Sequence, residues 1–142
     1  MALGPNVTSL GSSAFYGCDQ ITNATVGCPV TLPSGLFGDC SNLVSVVIGD
    51  NVKGLGTAQY SHPFYRCPKI KTFHVGSGIT VIPENYFYNY YGSFPSSATI
   101  ERIDLPDTLT TIGQYAFSGC VNLDFGQLSF PNLKSIGNSA FS

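Results

Sequence analysis

The chain has 142 residues, 43% of them hydrophobic and 13% aromatic, enough apolar material for a continuous core, which excludes general disorder. Only 10% are charged and the net charge is −2, so the six Lys and Arg give no electrostatic footprint for nucleic acid. No apolar run approaches the roughly 18 residues of a membrane span.

Self-similarity organises the chain. Val7-Thr8-x-Leu10-Gly11-x-x-Ala14-Phe15-x-Gly17-Cys18-x-x-Ile21 opens it. Looser copies follow at Phe37-x-x-Cys40, at Phe64-x-x-Cys67 and at Ile79-Thr80-x-Ile82-x-x-x-x-Phe87. A close copy, Leu109-Thr110-x-Ile112-Gly113-x-x-Ala116-Phe117-x-Gly119-Cys120-x-x-Leu123, precedes the shorter Leu133-x-x-Ile136-Gly137-x-x-Ala140-Phe141. The phenylalanines are 22, 27, 23, 30 and 24 residues apart, a period that specifies a solenoid of about five to six coils. Phe15, Phe37, Phe64, Phe87, Phe117 and Phe141 are its structural residues, with Cys18, Cys40, Cys67 and Cys120 three positions after their phenylalanines.

The first half of each coil, Ile-Gly-x-x-Ala-Phe, is too short for a stable α-helix and reads as a tight 3-10-like or irregular turn. The second half ends in period-two alternation, as in Leu43, Val46 and Ile48 or Ile70, Phe73 and Val75. One such strand per coil, always in the same direction, makes a parallel sheet. The coil through Val30-Thr31-Leu32 is one residue short, and four extra residues fall within 57–63. In the next coil Tyr90 takes the cysteine slot, and about seven residues intervene before Ile100, Ile103 and Leu105. Two more lengthen the stretch from Leu123 to Leu128 and Phe130.

The recurring phrase resembles the BspA-like (Treponema-type) class of leucine-rich repeat. The resemblance covers nearly the whole chain, closely over Val7–Ile21 and Pro106–Leu123 and loosely from Lys53 to Ile100. It implies a right-handed solenoid with a parallel β-sheet on the concave face and 3-10 or irregular turns on the convex face. It also implies a cell-surface or extracellular protein of bacteria or protists that binds matrix proteins or other cells, and it brings no catalytic residues.

Strand residues between core positions point outward and form two ladders. The first is Asn23, Ser45, Thr72, Arg102 and Gln127; the second is Thr25, Val47, His74, Asp104 and Ser129. Such a face can hold a protein or glycan by many weak polar contacts, or stand as an ordinary solvated surface. An exposed salt bridge within the Arg102, Asp104 and His74 group would contribute less than ~1 kcal/mol. In the aromatic insertion, Phe87 and Tyr90 keep core spacing, while Tyr88, Tyr91 and Phe94 are candidate interface anchors.

The cysteines read as a ladder of buried free thiols, one per coil, and Cys28 lies outside it. His62 and His74 lack nearby ligand partners and read as surface or loop histidines, so no metal or other cofactor is expected. No Gly-x-Ser-x-Gly elbow and no phosphate loop before a helix appears, and the chain reads as non-enzymatic. Asn6-Val7-Thr8 and Asn23-Ala24-Thr25 match glycosylation sequons, a frequent chance match. The chain reads as one solenoid over residues 1–142, either part of a longer array whose signal segment lies elsewhere or a unit stacking head to tail into a filament. The expected partner is a protein or glycan on a surface or matrix, or a second copy of the chain.

Overall fold

The computed structural model describes residues 1–57, 62–89 and 94–142. Five short strands lie one per coil: β1 (Ala2–Leu3), β2 (Asn23–Val26), β3 (Ser45–Ile48), β4 (Thr72–Val75) and, after a second-sheet strand β5 (Val81–Ile82), β6 (Arg102–Asp104). They form one parallel sheet in the order β1-β2-β3-β4-β6. Its register follows the repeat: Asn23 pairs with Ser45, Ser45 with Thr72 and Thr72 with Arg102. Alternation decides what each strand buries. Ala24, Val26, Val46, Ile48, Phe73, Val75 and Ile103 point into the core, and the residues between them point out.

A second sheet stands where the sequence suggests only turns. The isoleucine of the repeat phrase and the variable residue before it are extended, and β5 joins β7 (Thr111–Ile112) and β8 (Ser135–Ile136) in a three-stranded parallel sheet. Two residues per coil give too short an alternation to register as a strand in sequence. The Ala-Phe turns that follow are also bonded between coils: Phe15 N–H donates to Leu36 O at 2.9 Å, Phe37 to Pro63 O at 2.7 Å, Phe87 to Ala116 O at 2.8 Å and Phe117 to Ala140 O at 2.7 Å. Turn amides thus alternate between a neighbouring coil and local bonds such as Tyr86 N–H to Pro83 O and Ser118 N–H to Tyr115 O, so the local bonds never run on consecutively into 3-10 helices. Such helices occur at Pro95–Ala98 and Phe125–Gln127, both in lengthened coils.

Each turn is shaped by left-handed residues. Two positions before the repeat phenylalanine, Ser13, Gly35, Asn85, Tyr115 and Ser139 have φ between 51° and 61°. Two positions after it, Gly17 and Gly119 have φ of 68° and 77°, where glycine avoids the cost of a Cβ. The Gly of Ile-Gly has a different reason: Gly113 lies directly on the Pro83–Glu84 backbone of the preceding coil, and Gly137 on that of Gly113 and Gln114.

The core is a column of rings. Phe15 stacks on Phe37 at 5.3 Å and Phe37 on Phe64 at 5.7 Å; farther along, Phe87, Phe117 and Phe141 stack at 5.2 Å. Between the two stacks Phe73 is inserted edge-on, 5.3 Å from Phe64 and 5.2 Å from Phe87. The thiols form the expected ladder and all five cysteines are free. Cys40 Sγ donates to Phe15 O at 3.2 Å, Cys67 Sγ to Phe37 O at 3.0 Å and Cys120 Sγ to Phe87 O at 3.4 Å. Burial pushes the Cys67 and Cys120 thiols up to about 12. In the folded chain Ellman's reagent should therefore modify the half-buried Cys18 and spare Cys28, Cys40, Cys67 and Cys120, all five becoming reactive in denaturant. Rapid modification of all five without denaturant would contradict this packing.

Candidate functional site

The outer face of the five-stranded sheet carries the two ladders over four of their five rungs. Asn23, Ser45, Thr72 and Arg102 form one row, and Thr25, Val47, His74 and Asp104 the other. Ala2 extends the second row by pairing with Thr25. Thr72 Oγ1 donates to Ser45 Oγ at 3.0 Å. Arg102 Nε lies 2.7 Å from Asp104 Oδ1, and His74 Nδ1 lies 3.7 Å from Asp104 Oδ2. The hydrogen bond to Asp104 raises the Arg102 pKa further above its ordinary range.

Gln127 and Ser129 do not complete the rows. Asp124 caps a 3-10 turn over Phe125–Gln127, with its Oδ1 accepting from Gly126 N–H at 3.0 Å. The two additional residues of this coil are taken up in that turn, so no sixth strand forms beside β6. A cavity of about 560 Å³ opens there, with Glu101–Leu105 on one side and Leu123, Asp124 and Gln127–Ser129 on the other.

Phe94 is fully buried, 5.6 Å from Phe87 and 5.2 Å from His62, so it is a core residue and not an exposed anchor. Tyr88 is half-buried beside Tyr115, with ring centroids 6.1 Å apart. Tyr90 and Tyr91 lie outside the described residues. Ser96 closes the insertion against the preceding coil: its hydroxyl donates to Cys67 O at 2.6 Å and accepts from Ile70 N–H at 2.8 Å.

His62 is not the loop histidine its sequence context suggests. It is 0% exposed, with its ring 4.5 Å from that of Tyr86. Its Nε2–H donates to Tyr86 O at 2.9 Å, and its Nδ1 accepts from Phe64 N–H at 3.0 Å. Tyr86 in turn donates its hydroxyl to Leu55 O at 2.8 Å. His62 and Phe94, one from each insertion, thus meet inside the solenoid, a meeting that sequence distance conceals. Burial lowers the His62 pKa from 6.5 to about 3. Above pH 6.5 both folded and unfolded states are neutral at this residue; below it only the unfolded chain takes up the proton. Stability should fall by about 1.4 kcal/mol per pH unit from pH 6.5 toward pH 3 on this account. Urea midpoints measured across that range should show a shallower acid decline in His62→Gln; identical slopes would remove His62 as the cause.

His74, by contrast, is exposed. The terminal structural residues Phe15, Cys18 and Phe141 are only half-buried, whereas Phe37, Cys40, Phe64, Cys67, Phe87, Phe117 and Cys120 are buried. A structural role for asparagine was not read from the sequence. Asn42 donates to Asp19 O at 3.1 Å, Asn122 to Ala98 O at 2.7 Å and Asn132 to Asp107 O at 2.9 Å, each bracketing its coil to the previous one. Asn42 and Asn122 share one slot, five positions after Phe37 and Phe117 and just before a core leucine, and that recurrence marks them; Asn132 stands in another slot, nine positions before Phe141.

A parallel solenoid whose regular coils each carry one strand and one phenylalanine turn is a leucine-rich-repeat architecture. The family model for the BspA type leucine-rich repeat region matches residues 1–93 and 90–142 in six copies, and the chain belongs to that family. A search of curated proteins finds no match. Among solved structures, the chain is similar to a leucine-rich cell surface protein from Faecalibacterium prausnitzii A2-165, at 25% identity and a TM-score of 0.60. That alignment takes 99% of this chain but 35% of the other, so the chain spans about a third of that protein's length.

Proposed function

We propose that this chain is a non-catalytic binding module of a cell-surface or extracellular protein, engaging a protein or glycan through the outer face of its five-stranded sheet. The observation that carries this reading is the in-register double row from Asn23 and Thr25 to Arg102 and Asp104. Short polar side chains on a rigid backbone lose little entropy when a ligand covers them, so many weak contacts can add up. The family membership and the cell-surface neighbour support the location. Adhesion is tested by screening immobilised matrix proteins, whole cells and a glycan array with the wild-type chain and with Thr25→Arg/Thr72→Glu. Binding should be lost in the double variant while its melting temperature is kept. No binding to any surface, or equal binding by the variant, would overturn the reading.

A further inference from the structure

We propose that the outer edge of β6 is a strand-addition site for an extended partner segment bearing alternating basic and apolar side chains. The site goes beyond the sheet-face reading, because it uses the edge of the sheet and stands even if the face is inert.

The argument begins with the backbone. β6 pairs with β4 on one side, and among the described residues no strand pairs with the other. Arg102 N–H points toward β4, donating to Lys71 O at 3.1 Å. Alternation along a parallel ladder then directs the Ile103 N–H and C=O outward. An unpaired edge of this kind is a template for another strand. Proteins commonly blunt such edges by covering them, and here the next coil has space beside its edge instead. The 3-10 turn over Phe125–Gln127 stands across a cavity of about 560 Å³, where the repeat would otherwise place its sixth strand.

The walls specify the occupant. A strand added beside β6 would send alternate side chains to the same two faces as Arg102 and Ile103. Those on the Ile103 side meet Leu123 and Leu128, which calls for apolar residues. The charged lining consists of Glu101, Asp104, Asp107 and Asp124 against the single Arg102. Arg102 is engaged by Asp104 at 2.7 Å, and Lys71 offsets Glu101 at 2.9 Å. Asp107 and Asp124 have no ion-pair partner among the described residues, so the cavity retains negative charge for Lys or Arg. Main-chain pairing gives affinity, and this charge selects the sequence.

The test uses the intact chain and three end-blocked hexapeptides: one of alternating Lys and Val, the same peptide N-methylated at alternate amides, and one with Glu replacing Lys. The Lys–Val peptide should bind saturably and slow exchange of the Ile103 amide at least ten-fold. N-methylation should weaken binding at least ten-fold, because it removes the donors needed for pairing. The Glu peptide should bind at least ten-fold more weakly, and Asp107→Lys, at an exposed position, should reverse the preference between the two charged peptides. Absent binding of the Lys–Val peptide, equal binding of the N-methylated peptide or an unchanged preference in Asp107→Lys would each overturn the proposal. Perturbation confined to Thr25, Val47 and Thr72 would also overturn it while supporting the sheet face, so the two readings fail separately.

Discussion

Gly113→Ala is expected to destabilise the chain by about 3 kcal/mol, the upper end of what adding a single methyl to a packed site costs. A Cβ at this position would lie 2.4 Å from Glu84 N and 2.7 Å from both Glu84 Cα and Pro83 C. Those atoms are backbone, fixed on one side by the Ile82–Ile112 pairing and on the other by the core, and have no rotamer through which to yield. Relief would require separating two coils and lengthening the bond from Gly113 N–H to Ile82 O, now 2.9 Å. The matched control is Gly11→Ala. Gly11 occupies the same place in the phrase but has nothing within 4 Å of the added atom. Its substitution should move stability by no more than about 0.5 kcal/mol. Urea unfolding of the two variants checks both statements, and similar losses would mean that the glycine matters for turn conformation and not for coil approach.

Phe87→Ala should cost about 3–5 kcal/mol, the range for deleting a fully buried aromatic ring. Phe87 is a junction: it stacks on Phe117 at 5.2 Å and meets Phe73, Tyr86 and Phe94 edge-on at 5.2, 5.1 and 5.6 Å. Four rings would face the void, and none can collapse into it without abandoning its own contacts. Phe15→Ala removes the same ring from the first coil, where the side chain is half-exposed and stacks on Phe37. It should cost about 1–2 kcal/mol, since much of the ring never leaves water. Thermal unfolding of both variants would show the difference, and equal shifts would argue against a junction role for Phe87.

The repeat was legible because its letters are those that face inward. Phe37, Cys40, Leu43, Val46 and Ile48 repeat in phase and are all buried, so period alone predicts strand, turn and register. The four rungs from Asn23 to Arg102 followed from that register. Illegible features depend on contacts between departures from the period. His62 and Phe94 lie in different insertions and are polar and aromatic residues of a kind that loops often expose. Only the fold places their rings 5.2 Å apart in a common core. Gln127 and Ser129 fail for the opposite reason: the added residues allow Asp124 to cap a local turn, and that local hydrogen bond displaces the strand. The main-sheet face is thus readable as far as the repeat is regular, and the cavity beside β6 arises where it stops being so.

The edge-on Phe73 between the two ring stacks has a consequence for cooperativity. In a linear array each coil is held by its nearest neighbours, and the array melts as one unit only if every interface is strong enough. From Phe15 to Phe64 and from Phe87 to Phe141, those interfaces share stacked rings and strand pairing, with thiol rungs from Cys40, Cys67 and Cys120 across three of the four. At the junction between Phe64 and Phe87 the rings cross instead, and the space around them is filled by His62. Among the described residues, that interface alone includes a fully buried group whose protonation opposes folding. Mild acid therefore acts on the coupling between two halves of the column before it acts within either. Unfolding followed separately in each half would be concerted at neutral pH and would part into two transitions as the pH falls.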